Sequence, residues 1–294
     1  MGTPDFARKS LDRLYKDGHD IAAVFTGADK NRGRGMKLSP SPVKELALTF
    51  NTPVFHSQDM TEQLIASLKP DLIAVVAYGK LLPESILIIP PLGSINIHGS
   101  LLPKYRGAAP IQHAILNGDT LTGVTSQYMA KAMDAGDIIF SKETFIGPDE
   151  TSADLFERLG DLGAGLLSET VEAIGKGKVS RVAQKHEDGT YAPMLTKDMA
   201  PIDFTESAYK IKCKVRALIP WPVATMCIGD KILKIFDVDI TSNKTDLAPG
   251  EILPESKYGI EVACNDGSIV IAKLQAPGGK VMSSAEYLRG NRVI

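Results

Sequence analysis

The sequence predicts an α/β protein in two parts: a doubly wound, mostly parallel, Rossmann-like sheet over residues 1–180, then a smaller antiparallel, OB-like β-barrel over 201–294. Three observations carry this. Short apolar runs alternate with helix-period segments as far as residue 174, the order that right-handed crossovers produce. A long segment at 151–174 with Leu155, Leu159, Leu162, Leu166 and Ile174 along one side closes that part. After residue 201, short β-rich runs follow one another at turn signals.

The chain begins with a helix start, Gly2-Thr-Pro-Asp-Phe6, in which Thr3 is the expected N-cap, Pro4 the first helical residue and Gly18 the stop. Ile21–Phe25 is a buried strand, 27–42 a loop with Lys30, Arg32, Arg34 and Lys37 among glycines, and Val43–Phe50 a short helix. A strand at 53–55, a helix at 61–68 and a strand at 71–77 follow. Tyr78-Gly79-Lys80-Leu-Leu-Pro83 then lies at a carboxyl strand end, where ligands bind in open α/β sheets. A strand at 94–98 leads through Gly99 and Pro103 to a helix from about 107 to Asn117-Gly118. Beyond it come a strand at 123–129, a turn at 133–137, a strand at 138–140 and the long helix. Residues 181–200 are polar and unpatterned, as a linker would be. The second part holds a helix at about 205–217 and runs at 224–228, 232–236, 259–263 and 268–271, with turns at Gly229-Asp230 and Asp266-Gly267.

Chemistry is concentrated in Ser94-Ile-Asn-Ile-His98. Alternation puts Ser94, Asn96 and His98 on one face of the strand and Ile95 and Ile97 on the other. Each polar residue alone also fits a turn former or a satisfied buried histidine. Together, at a strand end beside a Gly/Pro loop, they offer an oxyanion donor and an acid/base in one place.

Bulk properties exclude several classes. The 294 residues suffice for a sizeable core, and a net charge of −2 gives no overall nucleic-acid footprint. From Pro201 onward, 12 Lys and Arg face 11 Asp and Glu, so only a clustered face there could meet phosphate; Lys210, Lys212, Lys214 and Arg216 are the densest group. Cys213, Cys227 and Cys264 form no short-spaced pair, which suits a reducing cytoplasm and suggests no disulfide framework or zinc site. No signal peptide, GxGxxG or GxxxxGK[ST] is present, and His19, His56, His113 and His186 lack ligand spacing, so no metal is expected.

Asn-Ile-His followed by Ser-Leu-Leu-Pro-Lys-Tyr, with Met133-Asp134-Ala-Gly136 placed 134 − 98 = 36 residues after the histidine, resembles the folate-dependent formyltransferase family. Gly2-Thr-Pro-Asp-Phe-Ala7, the stretch 33–44, Arg106-Gly-Ala-Ala-Pro-Ile111 and Pro220-Trp-Pro222 extend the resemblance almost end to end, toward the members that act on charged initiator tRNA. Ala130 departs from the aspartate that members often carry there. The resemblance implies the formyltransferase fold, with a catalytic domain over 1–180, a linker over 181–200 and a tRNA-binding barrel over 201–294. It implies transfer of a formyl group from 10-formyltetrahydrofolate to the α-amino group of methionine on initiator tRNA, by a monomer and without a metal. Asn96 would donate to the oxyanion, His98 handle the proton, and Asp134 orient His98 and a water. Tyr78, Gly79, Ser100, Leu101, Leu102 and Pro103 would line the folate site, and Arg32, Arg34, Lys37, Lys210, Lys212 and Lys214 would meet tRNA. Alternatives are a formyltransferase for a small amine, such as an amino sugar nucleotide, and a catalytically silent RNA-binding relative. Members also begin with a strand ahead of the Gly2 turn, lying between the strands at 21–25 and 71–77. Those two strands are therefore expected not to pair directly, and either an upstream start or another segment is expected to fill the slot.

Overall fold

Elements form where local sequence and long-range pairing agree. The computed structural model describes residues 1–32, 37–241, 245–254 and 259–292, and the chain divides into two units: Met1–Pro110 with Leu121–Phe145 and Phe156–Ala192, and Ile111–Thr120 with Ile146–Leu155 and Pro193–Ile294.

In the first unit α1 (Asp5–Lys16) starts at Pro4, which takes the N-cap position. Thr3, the expected cap, instead accepts the Gly27 N–H on its hydroxyl at 3.2 Å. β1 (Val24–Thr26) is followed by β2 (Lys30–Arg32) and β3 (Lys37–Ser39), then α2 (Pro42–Thr49), β4 (Val54–His56), α3 (Glu62–Leu68), β5 (Ile73–Val76), the short α4 (Glu84–Leu87) and β6 (Ser94–His98). Ser41 and Thr61 cap α2 and α3, each accepting the N–H three residues on at 3.1 Å. The expected loop at 27–42 is in part a hairpin, with Lys30 opposite Ser39 and Arg32 opposite Lys37. β7 (Arg106–Gly107), β8 (Leu121–Tyr128), β9 (Ile138–Phe145), α6 (Ser152–Gly175) and β10 (Tyr191–Ala192) complete the run up to residue 192, while α5 (Pro110–Leu116) falls almost wholly in the second unit.

The main sheet has the order β5-β6-β8-β9. β5 and β6 are parallel, while β8 and β9 run antiparallel to their neighbours. Among the described residues β1 has a ladder, parallel, with β4 alone. As expected, β1 and β5 share no ladder. Met1 and Gly2 lie between them instead: the Gly2 N–H donates to Phe25 O at 3.0 Å, and the Val76 N–H donates to Met1 O at 2.9 Å. A Cβ on Gly2 would fall 2.4 Å from Ala7 Cβ and 2.7 Å from Val76 O, so only glycine fits there. Beside this contact a cavity of about 540 Å³ is lined by Ala22, Ala23, Ile73, Ala74 and Leu14, among others. The first strand, expected over 21–25, is accordingly shorter at its start, because residues 21–23 have no ladder partner. On the other face, α6 lays Gly163 close to Ile97, and Thr170 donates to Ser126 at 2.9 Å.

Part of the expected linker belongs to this unit. Val182 and Ile138 exchange backbone hydrogen bonds at 2.8 and 3.0 Å, and β10 pairs with β7. These contacts are distant in sequence, so local composition did not announce them.

In the second unit α7 (Ala208–Ala217) is capped by Ser207. β11 (Ala224–Ile228), β12 (Lys231–Thr241), β13 (Ile260–Cys264), β14 (Gly267–Gln275), β15 (Val281–Ser283) and α8 (Ser284–Leu288) follow. The sheet is antiparallel in the order β11-β12-β14-β13, with β15 on β14. Among the described residues β13 has no ladder back to β11, so the closure of the expected barrel is not seen. Its core is apolar, with Leu233, Ile235, Ile260, Val262, Ile269, Ile271 and Leu274 all buried. Among the described residues no helix is long and apolar enough to cross a membrane.

Candidate active site

β6 places the site. Sitting between β5 and β8, it presents Asn96 opposite Gln127 and His98 opposite Thr125, while Ile95 and Ile97 are buried on the other face. The alternation read from the sequence therefore holds. Both polar side chains meet Asp134, from the turn after β8. Asn96 Nδ2 donates to Asp134 Oδ1 at 3.4 Å, and His98 Nδ1 lies 3.6 Å from the same oxygen. Oδ1 also accepts from Gln127 Nε2 at 3.2 Å, and Oδ2 accepts the Gly107 N–H at 2.9 Å.

The imidazole is held from behind. His98 Nε2 lies 2.8 Å from the Tyr105 carbonyl, which can only accept, so Nε2 carries the proton and Nδ1 presents a lone pair. In this tautomer Nδ1 has no hydrogen to give Asp134, so the hydrogen bond that holds the ring is the one to Tyr105. His98 is 6% exposed, and Nδ1 faces the Asp134 carboxylate at 3.6 Å.

Backbone strain gathers here. Of six non-glycine residues with positive φ among those described, Tyr105 and Asp134, at 61° and 50°, face the two ring nitrogens of His98, and Ala77, at 44°, directly follows β5. Gly136 is needed for close approach, since a Cβ there would lie 1.8 Å from Tyr128 O.

The remaining predicted residues divide by exposure. Gly79 is exposed with φ 73°, whereas Tyr78 is buried in the cluster with Val75, Leu82 and Ile86. Ser100 is fully buried and gives its hydroxyl to Lys104 O at 2.6 Å. Leu102 is buried, its N–H donating to Thr125 Oγ1 at 3.1 Å, while Leu101 and Pro103 are half-buried. Arg32 and Lys37 are register partners at the end of the hairpin, and Arg34 lies outside the described residues. Lys210 is exposed. Lys212 pairs with Asp149 at 2.5 Å, and Lys214 donates to the Pro201 carbonyl; burial pushes the Lys214 pKa below the usual lysine value.

The sequence reading missed the Tyr105 carbonyl, the Gly107 N–H and Gln127. Only Gln127 left a signal, as a long polar residue alternating with Val124 in a strand otherwise fit for the core. Among the described residues no three His, Cys, Asp or Glu side chains gather as a metal-holding group.

Comparison with known families matches residues 1–171 to "Formyl transferase" and residues 194–292 to "Formyl transferase, C-terminal domain". The methionyl-tRNA formyltransferase of Alkaliphilus oremlandii is 43% identical over 297 residues, covering 100% of this chain and 96% of its own. That of Clostridioides difficile is 42% identical over the same span and coverage. Among solved structures, the sugar 3N-formyl transferase WlaRD, in the presence of dTDP and 5-N-formyl-THF, superposes with a TM-score of 0.69 at 19% identity, over 91% of this chain and 93% of that one. HypX from Aquifex aeolicus, in complex with tetrahydrofolic acid, gives 0.60 at 19% identity over 90% and 46%. Family matches to both parts of the chain, with relatives more than 40% identical along its whole length, place it in the formyl transferase family, to which it belongs.

Proposed function

We propose that this protein transfers the formyl group of 10-formyltetrahydrofolate to the α-amino group of methionine esterified to initiator tRNA, in the cytoplasm and as a monomer. The observation that carries the reading is the convergence of Asn96 and His98 on one oxygen of Asp134 at the end of β6, at 3.4 and 3.6 Å. The acceptor follows from the full-length relatives, which are named for it. The donor class is supported by the folates in two fold neighbours.

The chemistry proceeds by addition and elimination. A free α-amino group has a pKa of roughly 7.7–8.0, which leaves a useful neutral fraction near pH 7. Its nitrogen attacks the formyl carbon, and charge builds on the formyl oxygen. One Asn96 N–H is loosely held by Asp134, so the amide has a second N–H for that oxyanion. The attacking nitrogen must lose a proton. His98 takes it at Nδ1, and Asp134 balances the imidazolium. The C–N bond to the folate then breaks and the leaving nitrogen takes up a proton, so charge is conserved.

In this reading the exposed Gly79 and the half-buried Leu101 and Pro103 touch the cosubstrate, while Tyr78, Ser100 and Leu102 support that wall from beneath. Arg32, Arg34, Lys37 and Lys210 meet tRNA phosphate; Lys212 and Lys214 serve mainly their own unit. The 1–180 region is catalytic, and the 201–294 region adds contacts to the tRNA. The test is incubation with 10-formyltetrahydrofolate and charged initiator tRNA, against free methionine and amino sugar nucleotides as acceptors. Formylation of the charged tRNA alone is expected; preference for a sugar nucleotide would overturn the acceptor.

A further inference from the structure

Gln184 touches no reacting group, yet its side chain joins the pieces that fix Asp134. It is 7% exposed and comes from the stretch whose composition resembles a linker. Its two Nε2 hydrogens are shared among three acceptors, Gly136 O at 2.7 Å, Asp134 O at 2.9 Å and Gln127 Oε1 at 3.2 Å. Its Oε1 accepts from Arg106 at 2.7 Å (Nη2) and 3.1 Å (Nε). The amide cannot be reversed, because guanidinium only donates and peptide carbonyls only accept. Two chains of contacts run from this one group to the Asp134 carboxylate. In the first, Gln184 binds the Gln127 oxygen and so turns the Gln127 amide, whose Nε2 donates to Asp134 Oδ1 at 3.2 Å. In the second, Gln184 fastens Arg106, whose successor Gly107 donates its N–H to Asp134 Oδ2 at 2.9 Å. A direct hold on the backbone of residues 134 and 136 also keeps Asp134 in its left-handed conformation, φ 50°.

We propose that Gln184 is a positioning residue for formyl transfer: it clamps the Asp134 turn and the Arg106-Gly107 segment so that the carboxylate stays aimed at Asn96 and His98. The proposal rests on the functional reading above, in which Asp134 serves the transition state. A group that acts through Asp134 lowers kcat and leaves substrate affinity nearly untouched.

The experiment compares wild type, Gln184→Leu, Asp134→Asn and the double variant, measuring formylation of charged initiator tRNA and hydrogen exchange of the peptide holding Gly107. For Gln184→Leu, kcat is expected to fall on the order of 10- to 100-fold, with KM for both substrates within about threefold. The Gly107 amide is expected to exchange roughly 10-fold faster, as its acceptor loosens. The double variant should be no more than about twofold slower than Asp134→Asn alone, because the two act as one unit. Wild-type kcat, or a full multiplicative loss in the double variant, overturns the proposal. So does a lowered melting temperature with kcat unchanged. If Gln184→Leu fails to fold, Gln184→Glu takes its place, since it keeps the oxygen for Arg106 and removes the donor to residues 134 and 136. Equal kcat in that variant also overturns the proposal. Should wild type formylate none of the acceptors, the functional reading fails, and faster Gly107 exchange in the variant still supports the clamp while unchanged exchange overturns it.

Discussion

The Asn96–His98–Asp134 group and the basic residues proposed to meet tRNA obey different physical demands. Each polar group that fixes Asp134 is hydrogen-bonded to it, its side chain is nearly buried, and Asn96 and Gln127 come from β6 and β8, which each lie between two strands of the main sheet. The basic residues are a contrast: Arg32 and Lys37 cap a two-stranded hairpin, Lys210 is exposed, and Lys212 and Lys214 are spent on Asp149 and Pro201. Acyl transfer requires groups held to within a fraction of an ångström, whereas phosphate neutralisation tolerates displacement over several. Preorganisation therefore leaves a record in hydrogen bonds, and charge attraction leaves one only in composition.

Perturbing each group measures how deep that contrast goes. The largest effect is expected from Asp134→Asn, which keeps the turn but removes the charge opposite His98: kcat should drop on the order of 10³ in single-turnover assays. Retention of more than about a tenth of wild-type kcat would remove Asp134 from the mechanism. Asn96→Ala should cost roughly 10²-fold in kcat with folate affinity, read by fluorescence titration, within about twofold, because the lost donor matters mainly in the transition state. Near-normal turnover would mean that the oxyanion is served elsewhere.

On the basic side the effects should be smaller and fall on binding. Arg34→Ala is expected to raise KM for charged tRNA about 3- to 10-fold while leaving folate binding intact, and to flatten the dependence of log KM on log salt by about one unit. Equal salt slopes would make that stretch surface only. The smallest expected difference separates two lysines of one helix: Lys210→Ala should raise KM for tRNA roughly twofold, whereas Lys214→Ala should leave KM unchanged and cost at most about 1 kcal/mol in denaturant unfolding. The reverse order would show that Lys214 gives up the Pro201 carbonyl when tRNA binds.

What could be read from sequence follows the same division. Alternation within five residues set Asn96 and His98 on one face of β6, while Asp134 entered only through the family resemblance. The hairpin at 30–32 and 37–39 escaped because charged residues there show no two-residue apolar period. Gln184 escaped because its partners, 48 to 78 residues away, are set only by the folded register. Strands 224–228 and 268–271 were legible, since each is a short apolar run beside a turn; closure of the sheet was not, since it depends on which edges meet. Likewise, no local pattern foretold that Met1 and Gly2 would lie between β1 and β5.

The left-handed backbone of Asp134 narrows which substitutions the position can accept. A φ of 50° suits glycine and, among residues with side chains, Asn and Asp, whose short polar groups can bond locally. Charge opposite His98 would by itself admit Glu, but Glu carries a longer chain and has no such preference for this conformation. Asn and Gly satisfy the backbone and forfeit the charge. Conformation and electrostatics thus define two sets of tolerated amino acids that overlap in one, and a variant library at this codon should return active clones carrying aspartate almost exclusively.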